Sequence, residues 1–414
     1  MLGYAKKLIV IFISIFIVIT GSQNLAIADS VPALTDVKSA IAVDANSGQI
    51  LYETKEDEVY PVASMSKLLT AYILLDKINH HELSWNTKVK PTKVEAEISH
   101  NSELTNVPLD STHSYTIREL YQAMLVGSAN AAAMVIARAV SGSQTNFVKL
   151  MRVTAKNMGI KDAKLYSANG LPTEYLKSEK YPGASKNSEN ELSAQDMAII
   201  ATKLIKDYPE ILNTTKLQNV QFNDREKTTS VTNTNKLLSD NTFQVDGLKT
   251  GTSDAAGECI TATTSKYGSR IITVIIGANS DSQRFEQTKL LLNNISNSYN
   301  YTVIGAGQPV PNISNVKILK GKQKTLPIAM RKTTGLWLNK EQGTQDISAK
   351  FHPNSEIIAP IKKYQTVGKV TLTVEGGYGF LNGEDGMTTS VSANKTIDKA
   401  NILVRLWRDI TRTN

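Results

Sequence analysis

Apolar and polar residues alternate along residues 39–53, on both sides of an Asn-Ser-Gly turn at 46–48. Because successive side chains of a strand point to opposite faces, this alternation predicts two antiparallel strands joined by a hairpin. The run at 68–78 is different, since it is apolar on nearly every side and has few charges. A helix of that kind belongs in a core, and we expect it to begin at Ser64, with Lys67 one turn later on the same face.

Apolar residues at helical spacing predict three further helices. One covers 117–125 and is followed by Gly127, and the next covers 131–140 and ends at Gly142. The third follows Ser193, a residue type that often caps a helix start. β-rich runs that predict adjacent antiparallel strands stand at 245–249, 259–264 and 271–277. The predicted fold class is therefore α+β, with helices covering an antiparallel sheet that the N-terminal hairpin completes.

The pattern changes after Tyr301. Short β-rich runs separated by Gly, Pro, Asn and Lys predict a small all-β sandwich over 301–394, to which we assign a spacer role. Its predicted strands are 316–320, 325–330, 335–338, 356–361, 366–374 and 388–391. Residues 395–414 repeat apolar residues at helical spacing, starting at Ile397, with basic residues elsewhere around the helix. This favours an amphipathic helix on a membrane surface, and a helix packed on its own sandwich is the alternative.

Residues 1–28 follow the three-part plan of a secretory signal peptide. Two lysines precede an apolar run at 8–20, and small residues lead up to a cleavage site after Ala28. The apolar run has 13 residues, fewer than the roughly 20 that a membrane span needs. An uncleaved anchor is the alternative. We expect a protein secreted across the cytoplasmic membrane and peripheral on its outer face, with its first domain at 29–300.

Composition narrows the classes of function. The formal net charge of +8 fits an anionic wall or membrane surface, and it fits an ordinary solvated surface equally well. No dense basic run is interleaved with aromatic residues, so nucleic acid is not an expected partner. Cys259 is the sole cysteine in the sequence and lies in an apolar stretch, which favours a buried residue without a catalytic role. The five histidines show no metal-ligand spacing, and we expect neither a metal nor another cofactor.

Three short motifs follow one another along the chain: Ser-x-x-Lys at 64–67, Ser-x-Asn at 128–130 and Lys-Thr-Gly at 249–251. Ser-x-x-Lys also occurs at 314–317 and 392–395, so that motif alone indicates little. A single serine at a helix start is more often a cap, and a single lysine one turn later is more often a surface residue. The order and local context of all three motifs together favour catalysis.

A serine hydroxyl becomes a good nucleophile only when a base removes its proton. Lys67 can act as the base for Ser64 if burial or a neighbouring cation, for which Lys249 is the candidate, keeps it partly neutral. Ser128 would then relay the proton to the leaving amine. Backbone N–H groups at the helix start of Ser64 and at Thr252 would form the oxyanion hole.

The remaining motif residues are suited to substrate binding. Asn130 offers both a donor and an acceptor to a substrate amide. Lys249, Thr250, Gly251 and Thr252 belong to a segment that would form a cationic, hydrogen-bonding pocket for a carboxylate. The motifs therefore predict an enzyme that opens an amide through a serine acyl-enzyme, on a substrate with a free C-terminus.

These motifs resemble those of the penicillin-binding proteins and class A β-lactamases. Within that group the chain is most similar to the low-molecular-mass D-alanyl-D-alanine carboxypeptidases, through the stretches 62–67, 169–171, 233–238 and 246–252. The resemblance implies a β-lactamase/DD-peptidase-like first domain and, as substrate, a peptidoglycan stem peptide ending in D-Ala-D-Ala. It also implies acylation of Ser64 by penicillin, so that β-lactams act as inhibitors. Many relatives have an acidic residue where this chain has Ala131, a change that we expect to alter packing or rate.

Two other functions compete with this interpretation. A class A β-lactamase needs a glutamate-activated water, but Glu189 and Glu191 lack the Glu-x-x-Leu-Asn pattern of such enzymes. A non-catalytic wall-binding protein would show decay of at least one motif, and all three are intact. Endopeptidase or transpeptidase activity on the same type of bond stays open at this point.

Overall fold

The computed structural model describes residues 31–265 and 268–411. The predicted signal peptide at 1–28 lies outside the described residues, as do Lys266 and Tyr267. The helices are α1 (Lys67–Asn79), α2 (Lys93–Ser99), α3 (Ile117–Val126), α4 (Asn130–Ser141), α5 (Gln144–Asn157), α6 (Ala194–Asp207), α7 (Ile211–Thr215), α8 (Asp281–Ser298) and α9 (Ile402–Thr411).

The strands fall into an N-terminal and a C-terminal group. The first group is β1 (Ser39–Asp44), β2 (Ile50–Thr54), β3 (Tyr60–Pro61), β4 (Lys88–Val89), β5 (Tyr115–Thr116), β6 (Glu191–Leu192), β7 (Asn219–Asn223), β8 (Thr228–Thr232), β9 (Val245–Ser253), β10 (Gly257–Thr264) and β11 (Ile271–Ala278). The second group is β12 (Tyr299–Ile304), β13 (Asn315–Lys317), β14 (Thr325–Met330), β15 (Thr334–Asn339), β16 (Ile347–Pro353), β17 (Thr366–Val374) and β18 (Met387–Ala393).

A five-stranded antiparallel sheet, in the order β2-β1-β11-β10-β9, forms the centre of the first domain. All six residues of β1 are buried, because helices cover both faces of the sheet. Ile41 and Val43 pack into a core with α1, α3, α4 and α6, whereas Ala40 and Ala42 pack on the opposite face with residues of α8. The predicted α+β class and the pairing of the N-terminal hairpin with the sheet are confirmed.

The predicted helices are present, with start signals that the sequence carries. Thr116 and Ser193 each accept a hydrogen bond from the third residue of the helix that follows, whose acidic side chain accepts one in return. Gly142 ends α4 in a left-handed conformation, with φ of 80°. α1 is buried on most sides, as its sequence predicts, but Ser64 lies in a short 3-10 turn that precedes α1.

The C-terminal β-structure contains a five-stranded sheet, in the order β13-β14-β18-β17-β16, and the pair β12-β15. The prediction of a strand at 356–361 is wrong, since that segment makes only isolated bridges at Ile358 and Ile361. Pro360 lacks a backbone N–H, which limits regular pairing there. Strand β16 was not predicted, because its outward residues give it little apolar alternation.

Trp337 of β15 joins the two halves of the chain. Its side chain is buried in the core between the central sheet and α8, although the residue belongs to the C-terminal β-structure. Its indole N–H donates to Asp44 Oδ2 at 2.9 Å, and its backbone N–H and C=O bond Gln49 at 2.8 Å each. The loop around Gly379 extends this contact, because its carbonyl accepts from Ile50 N–H at the open edge of β2.

The terminal helix begins later than predicted. Ile397 and Ala400 are buried in the C-terminal β-structure, where Ile397 pairs with Ile361, and α9 starts only at Ile402. The apolar side chains of α9 point to solvent, with Leu403 74% and Ile410 81% exposed. α9 does contact the C-terminal β-structure, as the alternative of a helix packed on its own sandwich predicts, but through Arg408, which donates to Gly321 O at 2.7 Å, and not through these apolar side chains. In the described part of the chain, no helix has the length and apolar character to cross a membrane.

We expect Trp337→Phe to destabilise the protein by about 1–3 kcal/mol, because it leaves a buried carboxylate oxygen of Asp44 without its indole donor. The urea midpoint of unfolding of the whole chain measures this effect. Tyr364→Phe is the control, since it removes a polar hydrogen from an aromatic side chain that is 68% exposed. Equal midpoints for the two variants would show that the indole hydrogen bond does not stabilise the junction.

Candidate active site

Ser64 lies on a tight turn between the sheet and α1. The turn is a 3-10 helix at Ala63–Ser66 that passes directly into α1. Two hydrogen bonds fix it: Val62 N–H donates to Asn190 O at 3.0 Å, and Ser66 Oγ donates to Ala63 O at 2.7 Å. Ser64 is half-buried, whereas its neighbours Ala63 and Met65 are fully buried. The turn therefore holds one hydroxyl at the surface of a rigid core.

Lys67 is completely buried beneath that hydroxyl. Its Nζ lies 2.6 Å from Ser64 Oγ, 2.8 Å from Asn130 Oδ1 and 2.8 Å from the carbonyl oxygen of Asn169. Within residues 31–265 and 268–411, no carboxylate lies within ion-pair distance of this ammonium. Burial lowers the pKa of Lys67 well below its ordinary value, and the positive charge of Lys249 lowers it further.

Ser128 and Asn130 lie at the junction of α3 and α4, as the sequence predicts. Ser128 is buried and adopts a φ of +58°, and Asn130 is the first residue of α4. The side-chain amide of Asn130 is held at both ends, since Nδ2 donates to Thr105 O at 3.0 Å and Oδ1 faces Lys67. The Ser128 hydroxyl makes no hydrogen bond to another described residue. The neighbouring Ala131 is buried in the core.

Lys249 lies in the edge strand β9 and is almost fully buried. Its Nζ donates to Thr250 O at 3.1 Å and to Thr234 Oγ1 at 3.5 Å. The hydroxyls of Thr234 and Thr250 lie 2.6 Å apart. Burial lowers the pKa of Lys249 to about 7, and the charge of Arg284 acts in the same direction. Lys249 is thus the second buried ammonium of the site.

Gly251 lets β9 approach the serine turn. A Cβ atom at this position would lie 2.6 Å from Val62 O and 3.1 Å from Met65 N, so any other residue would push the strand away. Thr252 follows and is exposed, on the same edge of the sheet. The Lys-Thr-Gly strand therefore touches the Ser-x-x-Lys turn through backbone atoms, and the predicted convergence of the motifs is a feature of the fold.

Three residues at the site were not predicted to have a role. Asn169 gives its carbonyl oxygen to Lys67, and Thr234 bonds both Lys249 and Thr250. Both residues lie in stretches that support the family resemblance, but neither carries a chemical signal of its own. Arg284, on α8, donates to Gly251 O at 3.2 Å and to Thr252 Oγ1 at 2.9 Å, and it forms an ion pair with Glu258. No motif marks Arg284 in the sequence.

The two glutamates and the cysteine that the sequence raised as candidates have partners or surroundings of their own. Glu189 Oε2 accepts from Ser253 Oγ at 2.6 Å, and Glu191 forms an ion pair with Lys164. Cys259 is buried, and burial raises the pKa of its thiol to about 12, which leaves it unreactive. Among the described residues, no group of His, Cys, Asp and Glu has the arrangement of a metal site. The chemistry of the site rests on hydroxyl, amide and amine groups.

Comparison with known proteins agrees with this geometry. The D-alanyl-D-alanine carboxypeptidase family, peptidase S11, matches residues 26–280, and the C-terminal domain of penicillin-binding protein 5 matches residues 300–399. The chain is 28% identical over 377 residues to the D-alanyl-D-alanine carboxypeptidase DacF of Bacillus subtilis, which covers 90% of this chain and 89% of the relative.

Two solved structures extend the comparison. The peptidoglycan synthesis regulatory factor PBP3 of Streptococcus pneumoniae superposes with a TM-score of 0.78 and 32% identity, over 88% of this chain and all of that one. Penicillin-binding protein D2 of Listeria monocytogenes, in its cefotaxime-bound form, gives a TM-score of 0.54 and 30% identity, over 64% of this chain and 99% of that one. The chain therefore belongs to the serine D-alanyl-D-alanine carboxypeptidases of peptidase family S11, among the low-molecular-mass penicillin-binding proteins.

Proposed function

We propose that this carboxypeptidase removes the terminal D-Ala from peptidoglycan stem pentapeptides through an acyl-enzyme on Ser64. The observation that carries the proposal is the 2.6 Å contact between Ser64 Oγ and Lys67 Nζ, in a site where Lys67 is fully buried. A buried amine without a carboxylate partner is held near the neutral form that accepts a proton. Lys67 is therefore the general base of the proposed mechanism.

The acylation step begins when neutral Lys67 takes the hydroxyl proton of Ser64. The serine oxygen attacks the carbonyl carbon between the two D-Ala residues, and the backbone N–H groups of Ser64 and Thr252 bind the resulting oxyanion. Collapse breaks the C–N bond while the proton passes through Ser128 to the leaving amine. Water then hydrolyses the ester, with Lys67 again accepting the proton. Free D-Ala and the shortened peptide are the products.

The terminal carboxylate of the substrate fits the cationic segment of β9. Lys249 supplies the charge, Thr250 and Thr252 supply hydroxyls, and Gly251 allows the close approach of the strand. Arg284 donates to the Thr252 hydroxyl at 2.9 Å, and that hydroxyl donates to Glu258 Oε2 at 2.7 Å. Thr252 therefore turns its proton from Glu258 to the substrate when the carboxylate binds. In this free state the amide of Asn130 is bound by protein groups, which leaves one Nδ2 hydrogen for a substrate carbonyl.

The same site accounts for inhibition by β-lactams. A β-lactam presents a strained amide next to a carboxylate, which are the two groups that Ser64 and Lys249 are placed to meet. The Listeria relative has been solved in cefotaxime-bound and ampicillin-bound forms, which supports binding of this class of ligand here. We propose that penicillin acylates Ser64 in this chain as well.

We further propose that the signal at 1–28 directs secretion across the cytoplasmic membrane. The terminal helix would then attach the protein to the outer face of that membrane. Support comes from the outward apolar side chains of α9, among them Leu403 and Ile410. Arg408 points the other way, because its guanidinium donates to Gly321 O at 2.7 Å on the β-structure. A helix held by a basic side chain, with its apolar face outward, is suited to a membrane interface.

The domain division proposed is 29–300 for catalysis, 301–394 for the β-sandwich and 395–414 for the membrane segment. Because α9 begins only at Ile402, the part of this segment that would contact lipid begins there and not at residue 395. The contacts of Trp337 with Asp44 and Gln49 favour a fixed angle between the first two domains. The sandwich then acts as a rigid spacer between the membrane and the catalytic site.

Ser64→Ala should abolish both labelling by a fluorescent penicillin and release of D-Ala from a pentapeptide ending in D-Ala-D-Ala, because it removes the hydroxyl on which the proposed acyl-enzyme forms. Gel fluorescence and a D-Ala assay measure the two outcomes. Ser314→Ala is the matched control, since it removes the serine of a second Ser-x-x-Lys in the β-structure. Persistent labelling of Ser64→Ala would remove Ser64 as nucleophile.

The second-order rate constant of acylation by penicillin should depend on pH with two limbs. It should rise with pH as Lys67 loses its proton, and fall above about 7 as Lys249 loses the charge that binds the carboxylate. Lys249→Arg should lose the falling limb, because arginine stays charged. With the unmodified enzyme, acylation by penicillin methyl ester should not slow above a pH of about 7, because the ester has no carboxylate for Lys249 to bind. Identical falling limbs for the acid and the ester would contradict the role of Lys249.

Removal of residues 401–414 should release the mature enzyme from vesicles containing anionic lipid, with penicillin labelling unchanged, because Ile397 and Ala400 stay in the β-core. Sedimentation with vesicles measures binding. Leu403→Glu should weaken it, whereas Ser355→Glu, which adds the same charge at an exposed site of the β-structure, should not. Undiminished sedimentation of the truncated chain would place the anchor elsewhere.

A further inference from the structure

The helix that carries Asn130 has no cap of its own. α4 begins at Asn130, and the preceding residue, Ala129, has no side-chain group that can accept a hydrogen bond from the first turn. The first backbone N–H groups of a helix lack partners inside the helix, and a buried start without other partners is costly. Asn130 and Ala131 are both buried, so their N–H groups need acceptors from another segment.

A loop from a distant part of the sequence supplies those acceptors. We call residues 101–109 the Asn106 loop. Its Thr105 carbonyl accepts from Asn130 N–H at 3.1 Å, and the side-chain Oδ1 of Asn106 accepts from Ala131 N–H at 2.8 Å. The other end of the Asn106 amide donates to Ile98 O at 3.0 Å, near the end of α2. Asn106 therefore links the start of α4 to α2 through one side chain.

The Asn106 loop also sets the orientation of the Asn130 side chain. Thr105 O accepts a second hydrogen bond from Asn130 Nδ2 at 3.0 Å, which directs Oδ1 toward Lys67 Nζ. If the amide rotated by half a turn, an NH₂ group would face the amine instead of an acceptor. The carbonyl of Thr105 is thus the group that distinguishes the two orientations, and the adjacent Asn106 side chain keeps that carbonyl in place.

We propose that Asn106 is a positioning residue for catalysis, which caps α4 from outside the helix and thereby fixes the Asn130 amide against Lys67. The inference rests on the proposed function of Ser64 and Lys67. It adds a residue that touches neither substrate nor nucleophile and that lies in none of the three motifs. Its effect passes through Ala131 N–H and Thr105 O to the Asn130 side chain.

Loss of the Asn106 cap should lower the pKa of Lys67. Asn130 Oδ1 accepts from the Lys67 ammonium, so a displaced amide removes stabilisation from the protonated form. The charge that acts on Lys67 is that of Lys249 on β9, and Arg284 on α8 acts in turn on Lys249. Among the described residues, neither of these side chains hydrogen-bonds the Asn106 loop. Loss of the Asn106 cap should therefore move the rising limb of the acylation profile to lower pH, besides slowing the reaction.

The test compares Asn106→Ala, Asn106→Asp and Asn101→Ala in the otherwise unchanged chain. Asn106→Ala should lower the rate constant of acylation by fluorescent penicillin about 10- to 100-fold, as expected when a catalytic group is misplaced. Asn106→Asp keeps an acceptor for Ala131 N–H but not the donor to Ile98 O, and it should restore most of the rate. Its added negative charge should move the rising limb to higher pH, opposite to the alanine variant.

Asn101→Ala is the matched control, because Asn101 lies in the same loop and its side chain accepts only from Glu103 N–H among the described residues. It should behave as the unmodified enzyme does. Rates are expressed per site that saturating penicillin can label, so a variant that folds only in part still gives a valid rate.

Two results would overturn the inference. The first is that Asn106→Ala has the same acylation rate and pH profile as Asn101→Ala. The second is that Asn106→Ala and Asn106→Asp lose the same amount of acylation rate, which would assign the effect to the contact with Ile98. Labelling of the unmodified enzyme at Ser64 is established by the Ser64→Ala experiment. A failure of the Asn106 proposal is therefore distinguishable from a failure of the proposed mechanism.

Discussion

The whole site depends on the buried amine of Lys67, which no carboxylate in the described part of the chain contacts. Lys67 Nζ is surrounded by a serine hydroxyl, an amide oxygen and a backbone carbonyl, all of them neutral acceptors. A carboxylate in that place would keep the lysine charged and the serine hydroxyl protonated. Neutral acceptors satisfy the amine in either protonation state. The core around Lys67 can then shift its pKa without leaving a buried polar group unsatisfied.

The remaining parts of the fold keep this arrangement rigid. The 3-10 turn before α1 presents Ser64, the junction of α3 and α4 presents Asn130, and the edge strand β9 brings Lys249 near. Gly251 permits backbone contact between the strand and the turn. Helices cover both faces of the sheet, so none of these segments can shift without opening a packed core. The C-terminal β-structure is fixed to the same sheet through Trp337.

Much of the fold follows from local sequence patterns. Alternation predicted the hairpin at 39–53, and helical spacing with capping residues predicted α3, α4 and α6 close to their observed bounds. The predictions were weaker in the C-terminal β-structure. Strand β16 carries few apolar residues, and Ile397 satisfies a helical pattern while it pairs with Ile361 in the β-core. An apolar pattern that fits both a helix and a strand does not decide between them. The segment that packs against it in the folded chain decides.

The sequence by itself determined the order of the motifs, the elements that carry them and the family, because these features depend on residue type and spacing over a few turns. Only the tertiary structure decided that no carboxylate of the described residues pairs with Lys67 and that Asn169 and Thr105 supply carbonyls to the site. It also decided that Arg284 lies behind Thr252. Backbone carbonyls are present in every residue, so no sequence signal marks the ones that enter a site, and their positions follow from long-range packing.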